Sequence, residues 1–468
     1  MNLKFTKIQK YSLPILFSIP IILNFLFNTI TNPQRQYFND LNFYDLIGLT
    51  FYLTLFISIG KFVKSIFPET NISLGIIYYL FSYYFVELIL ILLNFQLSLK
   101  IIFLIVNFAW VVFALIKKKF KQTIVFLLTY LVSLIINYVF VNNYSKNQNL
   151  IGDVESVFFP QSRAIFENGY FYSLSNQAMD GYPQFLSYLQ SLIFQLGFSL
   201  NSIYFYVSIT SYLILFLFFI FIYESNLNRF IKILIYLFTV SLIFNSDWLN
   251  FLFINSLMGE GILSFLTLVL ISKISNKKFM QFKGNYFYLV FGSLALTKHF
   301  IIEISLLLIL VIYFLGKNKK VFLSFIPFLL EELIYRNKFK NNLIDHHISQ
   351  IDISQTFLDL LFFNNLKLEN IFYIFKQLFI DKPVTYLLIA FFIAFIYNIF
   401  SSFENESSLI AISIVLNFIF IIILYISVWK NMELESPIRY ILNFLYSYIY
   451  VVFLTLNNCF EVKKMKSF

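Results

Sequence analysis

Two carboxylates stand two residues apart in Asn149-Leu150-Ile151-Gly152-Asp153-Val154-Glu155. Such a pair suits general-base work, in which one group takes the proton of an attacking hydroxyl and the other orients it, provided both come within hydrogen-bond reach. A solvated loop pair is the bland alternative. Glu260 is a further acid, set between Gly259 and Gly261, which let a backbone or substrate approach closely. Cationic candidates are fewer and more specific. Arginine occurs only at Arg35, Arg163, Arg229, Arg336 and Arg439, and Arg439 follows Glu433, Glu435 and Pro437 just before a long apolar stretch. A guanidinium there could fork onto a phosphate, pair with Glu435, or anchor an interface. Lys298 and His299 interrupt an apolar run between Leu296 and Phe300; an ionisable group at membrane depth is a functional candidate by default, although lysine also snorkels. His299 reads as a satisfied junction residue rather than a metal ligand. Glu87 and Glu303 fall inside apolar stretches, where they line a polar path or pair within a bundle. His346-His347 is a weak metal motif, because adjacent helical side chains do not face the same way.

The elements that must position these groups are set by composition. Charged residues make up 12% of the 468, against roughly 25% in a soluble domain. Hydrophobic residues make up 59%, and mean hydropathy is +0.78. That leaves too little polar surface to clothe water-facing domains of this length, so a soluble enzyme is excluded and the bilayer is the expected solvent. One cysteine, Cys459, excludes an internal disulfide framework and a thiolate zinc cluster.

Apolar stretches of spanning length recur along the whole chain and predict about 14 membrane helices. Their approximate extents are 11–29, 43–60, 73–95, 101–116, 123–141, 203–223, 230–245, 260–272, 285–297, 299–315, 321–334, 384–400, 408–428 and 440–458. The first lacks a small-residue cleavage site and reads as a retained helix rather than a signal peptide. With the N-terminus inside, 21 of the 34 lysines and arginines fall in short cytoplasmic segments, as the positive-inside rule requires. The net charge of +10 is therefore a topology signal, and nucleic acid is not an expected partner.

Two long segments, about 142–202 and 335–383, fall on the external side. In the first, Phe185, Leu189, Leu192 and Leu196 lie on one face of a helix that begins after Gly181-Tyr182-Pro183, which reads as an interfacial helix; a short additional span is the alternative. The expected fold is thus all-α: a polytopic transmembrane helical bundle with interfacial helices in a long external loop. Its expected organisation is additional N-terminal helices over 1–116 and a catalytic unit over 117–468.

In order along the chain, Gly152-Asp153-Val154-Glu155, the Ala164–Gly169 segment, the proline-initiated helix 183–197, Glu260, Gly292-Ser293-Leu294-Ala295-Leu296-Thr297-Lys298 and Arg439-Tyr440 resemble the GT-C superfamily of membrane glycosyltransferases. That superfamily includes aminoarabinose transferases of lipid A and protein O-mannosyltransferases. The likeness covers roughly 117–458 and rests on the order and common side of the motifs. It implies a sugar carried on a polyprenyl phosphate and transferred at the outer face. Asp153 would be the base, Glu155 its helper and Glu260 an acceptor-binding acid; Lys298, Arg439 and Arg163 would hold the donor phosphate. The chain departs from many members in having Asp153-Val154-Glu155 where they have adjacent acids, and Glu260 where aspartate is common. Expected partners are the polyprenyl-phosphate sugar donor, a lipid, glycan or protein acceptor, and membrane lipids. No cofactor is expected, and a divalent metal is left open. The expected location is a bacterial inner membrane with the site on the extracytoplasmic side. The alternative from another class is a lipid-linked oligosaccharide flippase or other polytopic transporter, which Glu87 and Glu303 would suit, although no paired halves are evident.

Overall fold

The computed structural model describes residues 43–93, 95, 97–141, 162, 164, 165, 191, 203–246, 249, 260–274, 285–292, 319–338, 372, 373, 376, 379, 381–401, 406–427 and 441–466. Among the described residues every regular element is helical and no strand occurs, in agreement with the all-α expectation. The helices are α1 (Phe43–Ile66), α2 (Ile72–Leu92), α3 (Leu99–Ile116), α4 (Phe120–Val141), α5 (Ile203–Glu224), α6 (Arg229–Asn245) and α7 (Glu260–Ile274). After them come α8 (Asn285–Gly292), α9 (Phe325–Lys338), α10 (Lys382–Ser401), α11 (Glu406–Ser427) and α12 (Leu445–Lys466). Short 3₁₀ turns, Lys319–Ser324 and Leu442–Phe444, lead into α9 and α12. The expected spans at 11–29 and 299–315 lie outside the described residues.

Local chemistry starts and stops these helices. Asn71 accepts from Leu74 N at 2.7 Å and caps α2, and Asn228 accepts from Phe230 N at 3.0 Å and caps α6. At the end of α3, Lys118 takes the left-handed conformation (φ 57°), Lys118 N donates to Leu115 O and Lys119 N to Ala114 O. That is the bond pattern of a Schellman stop with lysine in the position glycine usually holds.

Two helices act as hubs. α2 packs on α1, α3, α5, α7, α8 and α9, and α12 packs on α6, α7, α10 and α11. Small residues permit the closest crossings. A Cβ added to Gly75 in α2 would meet the Gly60 carbonyl of α1 at 2.8 Å, and one on Gly292 of α8 would overlap the carbonyl oxygen of Ser324. Most of α2 is buried, including Tyr78, Tyr79, Tyr83, Tyr84 and Glu87. Tyr79 Oη donates to Asn107 Oδ1 at 2.6 Å, and Trp110 Nε1 donates to Ser82 Oγ at 2.9 Å, so α3 is pinned to α2 by polar as well as apolar contact.

The contacts also fix which helix ends lie together. Lys64, near the end of α1, meets Glu224 at the end of α5 at 2.7 Å, and the same carboxylate accepts from Ile72 N at the start of α2. Phe67 contacts Tyr78, Trp110, Phe113 and Tyr286, which brings the end of α3 and the start of α8 to the same place. Asn228 N donates to Asn457 Oδ1, and Asn398 Nδ2 donates to Thr455 Oγ1, which adds the lower part of α12 and the turn between α10 and α11. Lys61, Lys64, Lys117, Lys118, Lys119, Lys121, Arg229 and Lys232 thus share one end of the bundle. Lys232 Nζ there donates to the carbonyls of Tyr223 and Ser225 at 2.7 Å each, serving the last turn of α5.

The outer faces are apolar. Ile124, Leu128, Leu131 and Ile135 of α4 and Tyr386, Ile389, Ile393 and Phe400 of α10 are all exposed. Among the described residues, Ile72–Leu92 and Lys382–Phe400 are long and apolar enough to cross a membrane.

Candidate functional site

Opposite the lysines lies the end of the bundle where α2, α4, α6 and α11 finish and α1, α3, α5 and α10 begin; α7 and α12 begin deeper, level with the inner half of α5. α6 closes at Asn245, and Ser246 turns extended. The Ser246 hydroxyl donates to Asp381 Oδ2 and accepts from Leu249 N at 3.0 Å. The other oxygen of Asp381 accepts from Val384 N at 3.2 Å, and its carbonyl accepts from Thr385 N at 2.9 Å, so Asp381 is the N-cap of α10. Pro383, within the first turn, has no N–H to leave unpaired. Both Ser246 and Asp381 are buried. With its oxygens engaged in this way, Asp381 is a post that ties α10 to α6 rather than a base.

Glu260 is the first residue of α7. One turn on, Ser264 Oγ accepts from Tyr446 N at 2.9 Å, and Tyr446 stacks on Phe218 at 4.4 Å, so the start of α12 is locked against α7 and α5. The 3₁₀ turn Leu442–Phe444 packs on α7, and every residue from Ile441 to Tyr450 is buried. Two polar side chains lie in this stretch. The amide nitrogen and oxygen of Asn443 and the hydroxyl of Ser447, all fully enclosed, form no hydrogen bond among the described residues.

Of the residues expected to carry chemistry, Glu260 alone is described, as the start of α7. Asp153, Glu155, Arg163, Lys298 and Arg439 lie outside the described residues. Within the first long segment, Ser162, Ala164, Ile165 and Ser191 are helical, and Ser162, Ile165 and Ser191 are fully buried. The helix ends Val141, Ile203, Asp381 and Ser427, which border 142–202, 339–380 and 428–440, are at the end opposite Lys64, Lys117, Arg229 and Lys232.

The sequence reading missed Ser246, Asp381, Asn443 and Ser447. Asp381-Lys382-Pro383 carries a legible cap signal that was absorbed into the long segment 335–383. Asn443 and Ser447 are polar residues inside the apolar stretch 440–458, which is itself a signal. Among the described residues no group of three His, Cys, Asp or Glu side chains is gathered as a metal would require. In comparisons with known proteins, no family model, curated protein or solved structure matches the chain.

Proposed function

We propose that the chain is an integral membrane glycosyltransferase that moves a sugar from a polyprenyl-phosphate donor to an acceptor hydroxyl or amine at the extracytoplasmic face. One observation carries the reading: the helix ends Val141, Ile203 and Ser427, which border the segments that hold Asp153, Glu155, Arg163 and Arg439, lie at one end of the bundle, and the helix ends that carry Lys64, Lys117, Arg229 and Lys232 share the other. Positive charge in short loops marks the cytoplasmic side, so the carboxylates and arginines belong to the far rim. The apolar outer faces of α4 and α10 suit lipid contact, and the full set of about 14 spans is part of the same proposal.

In this mechanism Asp153 takes the proton of the acceptor as the acceptor atom forms its bond to the anomeric carbon. The bond from that carbon to the phosphate oxygen breaks, and its electron pair leaves with the polyprenyl phosphate. Lys298, Arg439 and Arg163 stabilise the charge that develops on the phosphate, the kind of preorganised electrostatics that lowers such a barrier most. Glu155 orients the acceptor and Glu260 binds it.

A transporter reading draws on Glu87, a carboxylate 3% exposed inside the hub helix α2. Mass spectrometry of lipid-linked sugars and surface glycans, in cells with and without the gene, separates the two. A transferase leaves its sugar-charged lipid accumulated, and one sugar missing from an otherwise complete glycan, when the gene is removed. An unchanged glycan with unchanged lipid-linked pools would reject the enzyme.

A further inference from the structure

The turn between α3 and α4 carries Lys117, Lys118, Lys119 and Lys121 within five positions, and no aspartate or glutamate occurs between Glu87 and Asp153. Lys117, Lys118 and Lys121 are exposed and Lys119 is half-buried. Lys117 Nζ lies over the Phe113 ring at 5.7 Å, and among the described residues none of the four ammonium groups meets a carboxylate. Lys64, on the neighbouring α1, shows the contrast, since it is paired with Glu224 at 2.7 Å. Lysine is also an awkward choice at two of the four positions. Lys118 holds a left-handed conformation that glycine adopts without strain, and Lys121 sits in the first turn of α4, where the helix dipole disfavours a cation. Topology asks for positive charge somewhere in a short inner segment, not for four cations in so small a space at those positions.

Apolar side chains adjoin these charges. Ile116 is 69% exposed and Phe120 58%, and Phe113 and Ile124 are exposed one turn to either side. A soluble anion has no use for such a surface, whereas a lipid with an anionic head needs both parts: phosphate oxygens accept from the ammonium groups, and acyl carbon covers the phenyl and aliphatic side chains. Lysine stems bridge the two, with methylenes on the apolar side and the charge at headgroup level. A zwitterionic head fits less well, because its own cation would be brought up against the lysines. We propose that the α3–α4 turn binds the headgroup of an anionic phospholipid of the cytoplasmic leaflet, with an acyl chain against Ile116 and Phe120. The inference rests on the membrane placement in the proposed function and is independent of the transfer reaction.

The test titrates the full-length protein in detergent with phosphatidylglycerol or phosphatidylcholine and counts bound lipid by native mass spectrometry. The native protein is compared with a turn variant that combines Lys117→Gln, Lys118→Gln, Lys119→Gln and Lys121→Gln. A control combines Arg229→Gln, Lys463→Gln, Lys464→Gln and Lys466→Gln, which removes as much charge from the same end of the bundle. Expected is a preference of the native protein for phosphatidylglycerol of at least about tenfold, its loss in the turn variant with phosphatidylcholine binding unchanged, and its retention in the control. No preference in the native protein, or an undiminished one in the turn variant, would overturn the proposal. An equal loss in the control would overturn it as well, since the lipid would then answer to net charge. Should the fourfold variant fail to fold, Lys119→Gln with Lys121→Gln, which leaves Lys118 in place, carries the comparison and is expected to weaken the preference at least about threefold. Recovery of the native protein from cells in the soluble fraction, without detergent, would reject the membrane placement and the inference with it; absence of the preference in a membrane-inserted protein would remove the inference alone.

Discussion

Lys118 shows how a single residue serves two demands that conflict. Its backbone closes α3 in the left-handed region (φ 57°), where a side chain with a Cβ is disfavoured and glycine is the usual occupant. Its side chain belongs to the run Lys117, Lys118, Lys119 and Lys121, whose charge marks the cytoplasmic side in the proposed topology. The conformational cost is small and the charge is retained. Lys118→Gly is therefore expected to stabilise the folded protein by about 1 kcal/mol, read as a higher midpoint of thermal unfolding in detergent; a lower midpoint would show that the lysine side chain contributes more than its backbone costs. Residues of this kind were partly legible in the sequence. The lysine run was read for its sign, but a Schellman stop without glycine gives no sequence signal. Asp381 shows the same limit, because its role as a cap becomes evident only when Ser246, 135 positions away, arrives at its other oxygen.

At the scale of the elements, hydropathy and charge located the helices well. The expected spans 203–223 and 230–245 correspond to Ile203–Glu224 and Arg229–Asn245, and 384–400 corresponds to Lys382–Ser401. The reason is physical: an apolar run of this length must pair its own backbone groups, and a helix does so locally. The expected span 321–334 begins instead as a 3₁₀ turn, Lys319–Ser324, and becomes α-helical only from Phe325 to Lys338. Packing was not legible, because it depends on which residues meet. The approach of α8 to that turn depends on Gly292, where any Cβ would overlap a backbone carbonyl that cannot rotate away. Gly292→Ala is expected to cost about 1–3 kcal/mol, seen as a lowered midpoint of thermal unfolding. Leu128→Ala, on the exposed face of α4, should leave it nearly unchanged. Equal effects of the two substitutions would show that the α8 contact is looser than the backbone geometry requires.

For the whole molecule, the segregation of charge gives the chain a direction. Lys61, Lys64, Lys117, Lys118, Lys119, Lys121 and Lys232 gather at one end, and Val141, Ile203 and Ser427, which border the long segments, lie at the other, with exposed leucine, isoleucine and phenylalanine between them. A protein without Cys459 and carrying one cysteine at a time tests that direction with a membrane-impermeant maleimide on intact cells. Gln148→Cys should be labelled directly, and Lys121→Cys only after the membrane is opened; the reverse order would invert the topology and place the acids in the cytosol. The candidate residues were chosen by type and order along the chain, since carboxylates beside an apolar span and scarce arginines are visible in sequence. The packing of α7, which begins with Glu260, was not legible, because it follows from contacts such as Ser264 with Tyr446 that join distant helices. The most direct test of the proposed activity compares Asp153→Asn with the native protein, measuring both donor binding and transfer from a polyprenyl-phosphate sugar. The account predicts that the variant binds the donor as tightly as the native protein while transfer falls at least about a hundredfold, the usual worth of a general base; transfer at the native rate would contradict it.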